Sequence, residues 1–120
     1  MYEIKYYIDS RGVEPVKEFV DSLGTKQDKN SKINYTKIVA YMRTLRAQGT
    51  TAGLPTMRHI EGEIWELRPV DNRILFAAWD GAKFILLHHF LKQTQQTPRQ
   101  EIETAKRRLE MAKKEAEKYE

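Results

Sequence analysis

Apolar and polar positions alternate at the start of the chain. Tyr2, Ile4, Tyr6 and Ile8 are separated by Glu3, Lys5 and Tyr7, the period-2 pattern of a strand. Arg11-Gly12 interrupts it, and the period then lengthens. Pro15 suits a first helical turn, and Val16, Phe19, Val20 and Leu23 fall at helical spacing before Gly24, a C-cap residue. A second helix is predicted from Lys26 to Gln48, with Ile33, Ile38, Met42 and Leu45 facing inward. Gly49 to Pro55 reads as a loop.

From Thr56 to Lys92 the pattern is sheet. Glu61-Gly62, Asp71-Asn72 and Asp80-Gly81 mark turns between four short strands. The last element starts at Thr97-Pro98, where Thr97 is the expected N-cap, Pro98 the first helical residue and Gln100 the third corner of a capping box. Ile102, Ala105, Leu109, Ala112, Ala116 and Tyr119 continue as a helical stripe that thins to alanine, so its end is expected to fray or to be held by another chain. The order β-α-α-β-β-β-β-α predicts an α+β fold, an antiparallel sheet packed on helices.

Two-residue turns at Asp71-Asn72 and Asp80-Gly81 sort the strand residues onto two faces. One collects Trp65, Leu67, Ile74, Phe76, Ile85, Leu87 and Leu91, with His89 as an exception, and reads as the core. The other collects Glu66, Arg68, Arg73, His88, Phe90 and Lys92 around Leu75 and Leu86. Cations converging mid-sheet suit a phosphate and the charge that builds on it in a phosphoryl transition state.

Length and charge sharpen this. The 120 residues fit one domain, expected to span 1–120. No apolar run reaches membrane-spanning length, the first residues lack a signal-peptide profile, and the cytoplasm is the expected location. With 0 Cys there is no thiol nucleophile or zinc ribbon, and His59, His88 and His89 lack carboxylates at metal-ligand spacing, so no metal or cofactor is expected. Net charge is +4, concentrated in residues 25–60, where seven basic side chains face Asp28 alone. Lys29, Lys32, Lys37 and Arg43 on the second helix are candidate RNA-backbone contacts; a solvated helix face is the plainer alternative.

Ile64-Trp65-Glu66-Leu67-Arg68-Pro69, Arg73-Ile74-Leu75-Phe76, Leu86-Leu87-His88-His89-Phe90-Leu91-Lys92 and Thr97-Pro98 with Glu101-Ile102 and Ala105 resemble the phage-derived branch of the HigB/RelE toxin superfamily. The resemblance implies a RelE-like fold and a type II toxin that cleaves mRNA without a metal, usually on the ribosome. It also implies a HigA-like helix-turn-helix antitoxin, through which alone operator DNA is contacted. Arg68, Arg73 and Lys92 match the family's basic active-site positions, with His88 as a candidate acid or base. Phe90 is a candidate for stacking on a base, and Glu66 lies among the RNA-binding candidates. The chain departs from the family after Lys92, where Gln93 and Gln96 replace two lysines. A non-catalytic nucleic-acid-binding module, or a phage interaction protein working through its C-terminal stripe, are the rival readings.

Overall fold

The computed structural model describes residues 1–120. Its elements run β1 (Glu3–Tyr6), α1 (Pro15–Thr25), α2 (Lys29–Gln48), β2 (Met57–Glu61), β3 (Ile64–Leu67), β4 (Asn72–Asp80), β5 (Lys83–Leu91) and α3 (Arg99–Lys114). The α+β order is the expected one.

Local chemistry sets the helix ends. Pro15 opens α1, which runs through Gly24 instead of stopping there. Asp28 caps α2 by accepting the Ser31 N–H at 2.9 Å, so that helix starts after Asp28 and not at Lys26. Gly49 closes α2 with φ 62°, and a Cβ there would meet the Tyr2 ring at 2.8 Å. Only glycine fits where β1 crosses the end of α2. The buried row of α2 is Ser31, Ile38, Met42 and Leu45. Ile33 lies on the opposite side and is 46% exposed, contrary to the expected inward position.

The five strands are ordered β1-β5-β4-β3-β2. Neighbours are antiparallel except for β1, which pairs with β5 in parallel, so the sheet is mixed and not wholly antiparallel. A parallel pair needs a long connection. Here α1, α2 and three strands provide it.

Register departs from the expected hairpins at two places. Between β3 and β4 the connection is Arg68–Asp71, and Glu66 stands opposite Leu75. That moves the pairing by an even number of residues, so every side chain keeps its predicted face. Between β4 and β5 the ladder is irregular twice. Phe76 pairs with Leu86 but Leu75 with His88, which leaves Leu87 as the extra residue of a bulge. Phe84 and Leu86 therefore point with Phe76 and Ile74 toward α1 and α2. Ile85 and Leu87 point with Leu75 and Ala77 toward α3. The predicted grouping of Ile85 and Leu87 with Trp65 and Phe76 is overturned, and Leu91 is exposed.

The sheet is thus buried on both faces. One core joins Val16, Val20, Ile38, Met42 and Leu45 to Leu67, Ile74 and Phe76. The other joins Ile64, Leu75, Ile85 and Leu87 to Ala105, Leu109 and Ala112. The chain end is not frayed. After α3 a 3-10 turn, Ala116–Tyr119, brings Tyr119 into the second core at 1% exposure. Its hydroxyl accepts the Ile8 N–H at 2.9 Å, and its ring packs against Trp79. Ala112 is buried against the sheet while Ala116, expected in the same stripe, is exposed, and the single aromatic anchor supplies the missing apolar area.

Replacing Tyr119 with Ala should lower unfolding free energy by about 3–5 kcal/mol, the range for emptying a buried aromatic site. Urea denaturation measures it. An unchanged midpoint would show that the tail is dispensable to the fold.

Candidate active site

The polar side chains cluster on the α3 side of the sheet, beyond the start of that helix. Cross-strand pairing puts Arg58 opposite Glu66 and Glu66 opposite Leu75. Arg73 precedes Leu75 by two residues and therefore shares its face. Glu66 is 1% exposed and lies at the centre. Its Oε1 accepts from Arg58 Nε at 3.1 Å and lies 3.6 Å from Arg68 Nε and 3.8 Å from Arg73 Nε. Its Oε2 accepts from the Thr97 hydroxyl at 2.5 Å. Thr97 consequently does not cap α3. Pro98 occupies the N-cap position, without a side-chain cap, and the helix begins at Arg99.

Arg73 is the most enclosed cation, at 6% exposure. Its Nη1 donates to the carbonyls of Val70 at 2.9 Å and Asn72 at 2.8 Å, gripping the turn from inside. Val70 has φ 57°, a left-handed conformation unfavourable for a β-branched residue. The Arg73 bond is what holds it there. Burial pulls the Arg73 guanidinium below its ordinary pKa; Glu66 opposes this, while Arg68 and Arg58 reinforce it.

Arg58 and Arg68 reach solvent, with side chains 35% and 24% exposed. Arg68 Nε is buried without a hydrogen-bond partner. Lys92 follows β5, its N–H donating to the Asp71 carbonyl at 2.7 Å, which ties it to the turn bearing Arg68. No carboxylate lies within ion-pair distance of its ammonium group. Three guanidiniums around one buried carboxylate leave positive charge in excess, fixed in place before any ligand arrives. Such a cluster can bind a phosphodiester and take up the added charge of a phosphorane.

Other sequence candidates have different surroundings. Glu66 is buried beneath the cations it pairs with and offers almost no exposed surface. Phe90 is 9% exposed and packs in the α3 core against His88, with no face free for a base. His88 Nε2 lies 2.8 Å from Glu101 Oε1, and Arg108 flanks its Nδ1 at 3.4 Å. It is tied to α3, which the open-face reading did not anticipate. Lys29, Lys32, Lys37 and Arg43 are exposed on α2, none in an ion pair. Asn34 accepts from Asn72 Nδ2 at 3.1 Å, joining α2 to the start of β4 beside the Arg73 turn. Arg58 and Thr97 are additions to the predicted set. Pairing the strands on either side of Gly62 would have placed Arg58 near Glu66, whereas nothing local marks Thr97. No group of three or more His, Asp or Glu side chains is arranged to hold a metal ion, and no helix is long and apolar enough to cross a membrane.

A mixed sheet between helices, with a basic cluster at one end, defines an α+β protein of the broadly RelE-like class. Residues 26–110 match the family described as Phage derived protein Gp49-like (DUF891), and the chain belongs to that family. It is a phage-derived family of the RelE/HigB-like toxins, which in general act opposite an antitoxin. No curated protein matches the chain.

The histidines generate a pH prediction. Burial, reinforced by His88, lowers His89 to about 4. The unfolded chain, with its histidine near 6.5, then binds the proton first. Stability present above about pH 6.5 is lost as the pH falls toward about 4, below which both states carry the proton. His89→Phe, which keeps the contact with Phe19, should flatten that part of the stability profile. An unaltered slope would show that His89 is protonated as readily in the fold as outside it.

Proposed function

We propose that the protein is the toxin of a type II toxin–antitoxin pair and cleaves mRNA during translation, in the cytoplasm where mRNA is read. The observation that carries this is the preorganised guanidinium cluster on Glu66, exposed at Arg58 and Arg68 and flanked by Lys92. Family membership makes a polyanion the natural substrate for it. Arg68 and Arg58 hold the non-bridging oxygens, and Arg73 supplies fixed positive charge behind them. The 2′-hydroxyl gives its proton to solvent water as its oxygen attacks phosphorus, the bond to the 5′-oxygen breaks, and the Lys92 ammonium gives a proton to the leaving oxygen. The products are a 2′,3′-cyclic phosphate and a 5′-hydroxyl. The free lysines of α2 grip the backbone of mRNA or ribosomal RNA, and a HigA-like helix-turn-helix antitoxin silences the site. Holding RNA without cutting it is the alternative that cations alone also permit.

Arg68→Ala and Lys92→Ala should each reduce cleavage by about 10²–10³, the scale of removing one preorganised donor. Both should keep the fold and relieve growth arrest on induced expression. Arg73→Ala is a different case, because it also strands the Val70 and Asn72 carbonyls; its loss of activity should come with a lowered denaturation midpoint. Cleavage should persist in excess chelator. Full activity in the first two variants would remove the cluster from the chemistry.

A second expectation concerns α2. Changing Lys29, Lys32 and Lys37 to Gln should reduce the slope of log affinity for single-stranded RNA against log salt by about 2, three phosphate contacts' worth. An unchanged slope would make these lysines a solvated surface only.

A further inference from the structure

A polar groove leaves the arginine cluster on the α3 side. Its walls are the Thr94–Thr97 segment, the first residues of α3 and the end of β2, and its wider part encloses about 840 Å³. A narrower part, sharing Glu61, Gln96, Thr97 and Ile102 with it, runs alongside Arg58. The groove is thus continuous with the cluster through Arg58 and Thr97, the two residues that bond Glu66 from this side. Arg58 lines the narrower part, Gln96, Thr97, Glu61 and Ile102 line both parts, and the wider part adds Gln95, Pro98 and Arg99.

Gln96, but not Gln95, stands where the chain departs from the lysine-rich pattern of the toxins it resembles; both amides line the groove. They form no side-chain hydrogen bond within the protein, whereas neighbouring Glu61 is already held by Arg99 and Lys106. A lysine contributes a point charge suited to phosphate. An amide offers a donor and an acceptor side by side, which reads the edge of a base. We infer that this groove is a nucleobase subsite: it receives the base next to the phosphate held by Arg58 and Arg68, with Gln96 and Gln95 selecting that base by its hydrogen-bonding edge. The inference rests on the RNA-cleaving reading for the location of the phosphate, while the base contact itself requires no cleavage.

Two measurements on the full chain test it. Cut sites in mRNA translated in a cell-free extract are mapped for the wild type, Gln95→Ala, Gln96→Ala and Gln96→Lys. The alanine variants should weaken the base preference at one position flanking the cut by about tenfold, the scale of one bidentate contact. Gln96→Lys should also relax it, because the lysine seeks phosphate. In parallel, NMR titration with 2′-O-methyl trinucleotides differing in one base, which cannot be cleaved by this route, should shift the Gln96 side-chain amide in a base-dependent way. Base-dependent shifts without any mRNA cutting would support the subsite and refute the nuclease. Cutting with an unchanged base preference in every variant would refute the subsite and leave the nuclease standing. So would titration shifts identical for all bases.

Discussion

A single buried carboxylate connects the parts of this molecule that matter for its chemistry. Glu66 accepts from Arg58 on β2 and from Thr97 before α3, and it draws Arg68 and Arg73 from the turn and strand that follow it. Removing an ion group from water is expensive, and one unpaired in this position would destabilise the fold by several kcal/mol. The arrangement is favourable because each carboxylate oxygen is satisfied and the cations outnumber it. The same imbalance provides the binding energy for an anion. Structure and site are therefore not separable here: Glu66 fixes where the guanidiniums stand, and their surplus charge fixes what they attract.

The bulge at Leu87 provides the second constraint. Ile85 stands opposite Ala77 on one side of it and His88 and Phe90 opposite Leu75 and Arg73 on the other, so the extra residue lets both stretches of β5 face α3. With it, the middle of β5 feeds the α3 core while Phe84 and Leu86 feed the opposite one. Burying both faces leaves only the end of the sheet for function. There the Arg68–Asp71 turn, the Thr94–Thr97 segment and the start of α3 meet. The turn is kept in shape by Arg73 against the strain at Val70. That couples the most buried cation of the cluster to the backbone that presents Arg68.

Much of this was legible in the residues. Period-2 and helical spacing place the three α-helices and five strands, though not the two 3-10 turns, and register alone groups Glu66, Arg68, Arg73, His88 and Phe90. That grouping tolerated an error of two residues in the β3–β4 turn, because an even shift preserves the face. The bulge was not legible. No glycine or proline marks Leu87, and one extra residue in an otherwise regular strand leaves no trace in hydropathy. The burial of Phe90 and the capture of His88 by Glu101 depend on α3 covering that face, a tertiary event. The docking of Tyr119 is hidden for a related reason: a thinning stripe suggests a loose end until the partner surface, the backbone of Ile8, is known. Arg58 lies in a strand whose register depends on the tight turn at Gly62, and Thr97 resembles a cap more than a ligand to a buried carboxylate.

The central claim is that a preorganised cation cluster turns the substrate's own 2′-oxygen on the adjacent phosphorus. The chemical nature of the cut ends tests it most directly. The full-length protein is added to a translating cell-free system, and the new termini are identified by selective ligation and mass spectrometry of the fragments. The account predicts 5′-hydroxyl ends paired with 2′,3′-cyclic phosphates. Fragments bearing 5′-phosphate and 3′-hydroxyl ends, the mark of attack by water, would contradict it, as would mRNA that remains intact.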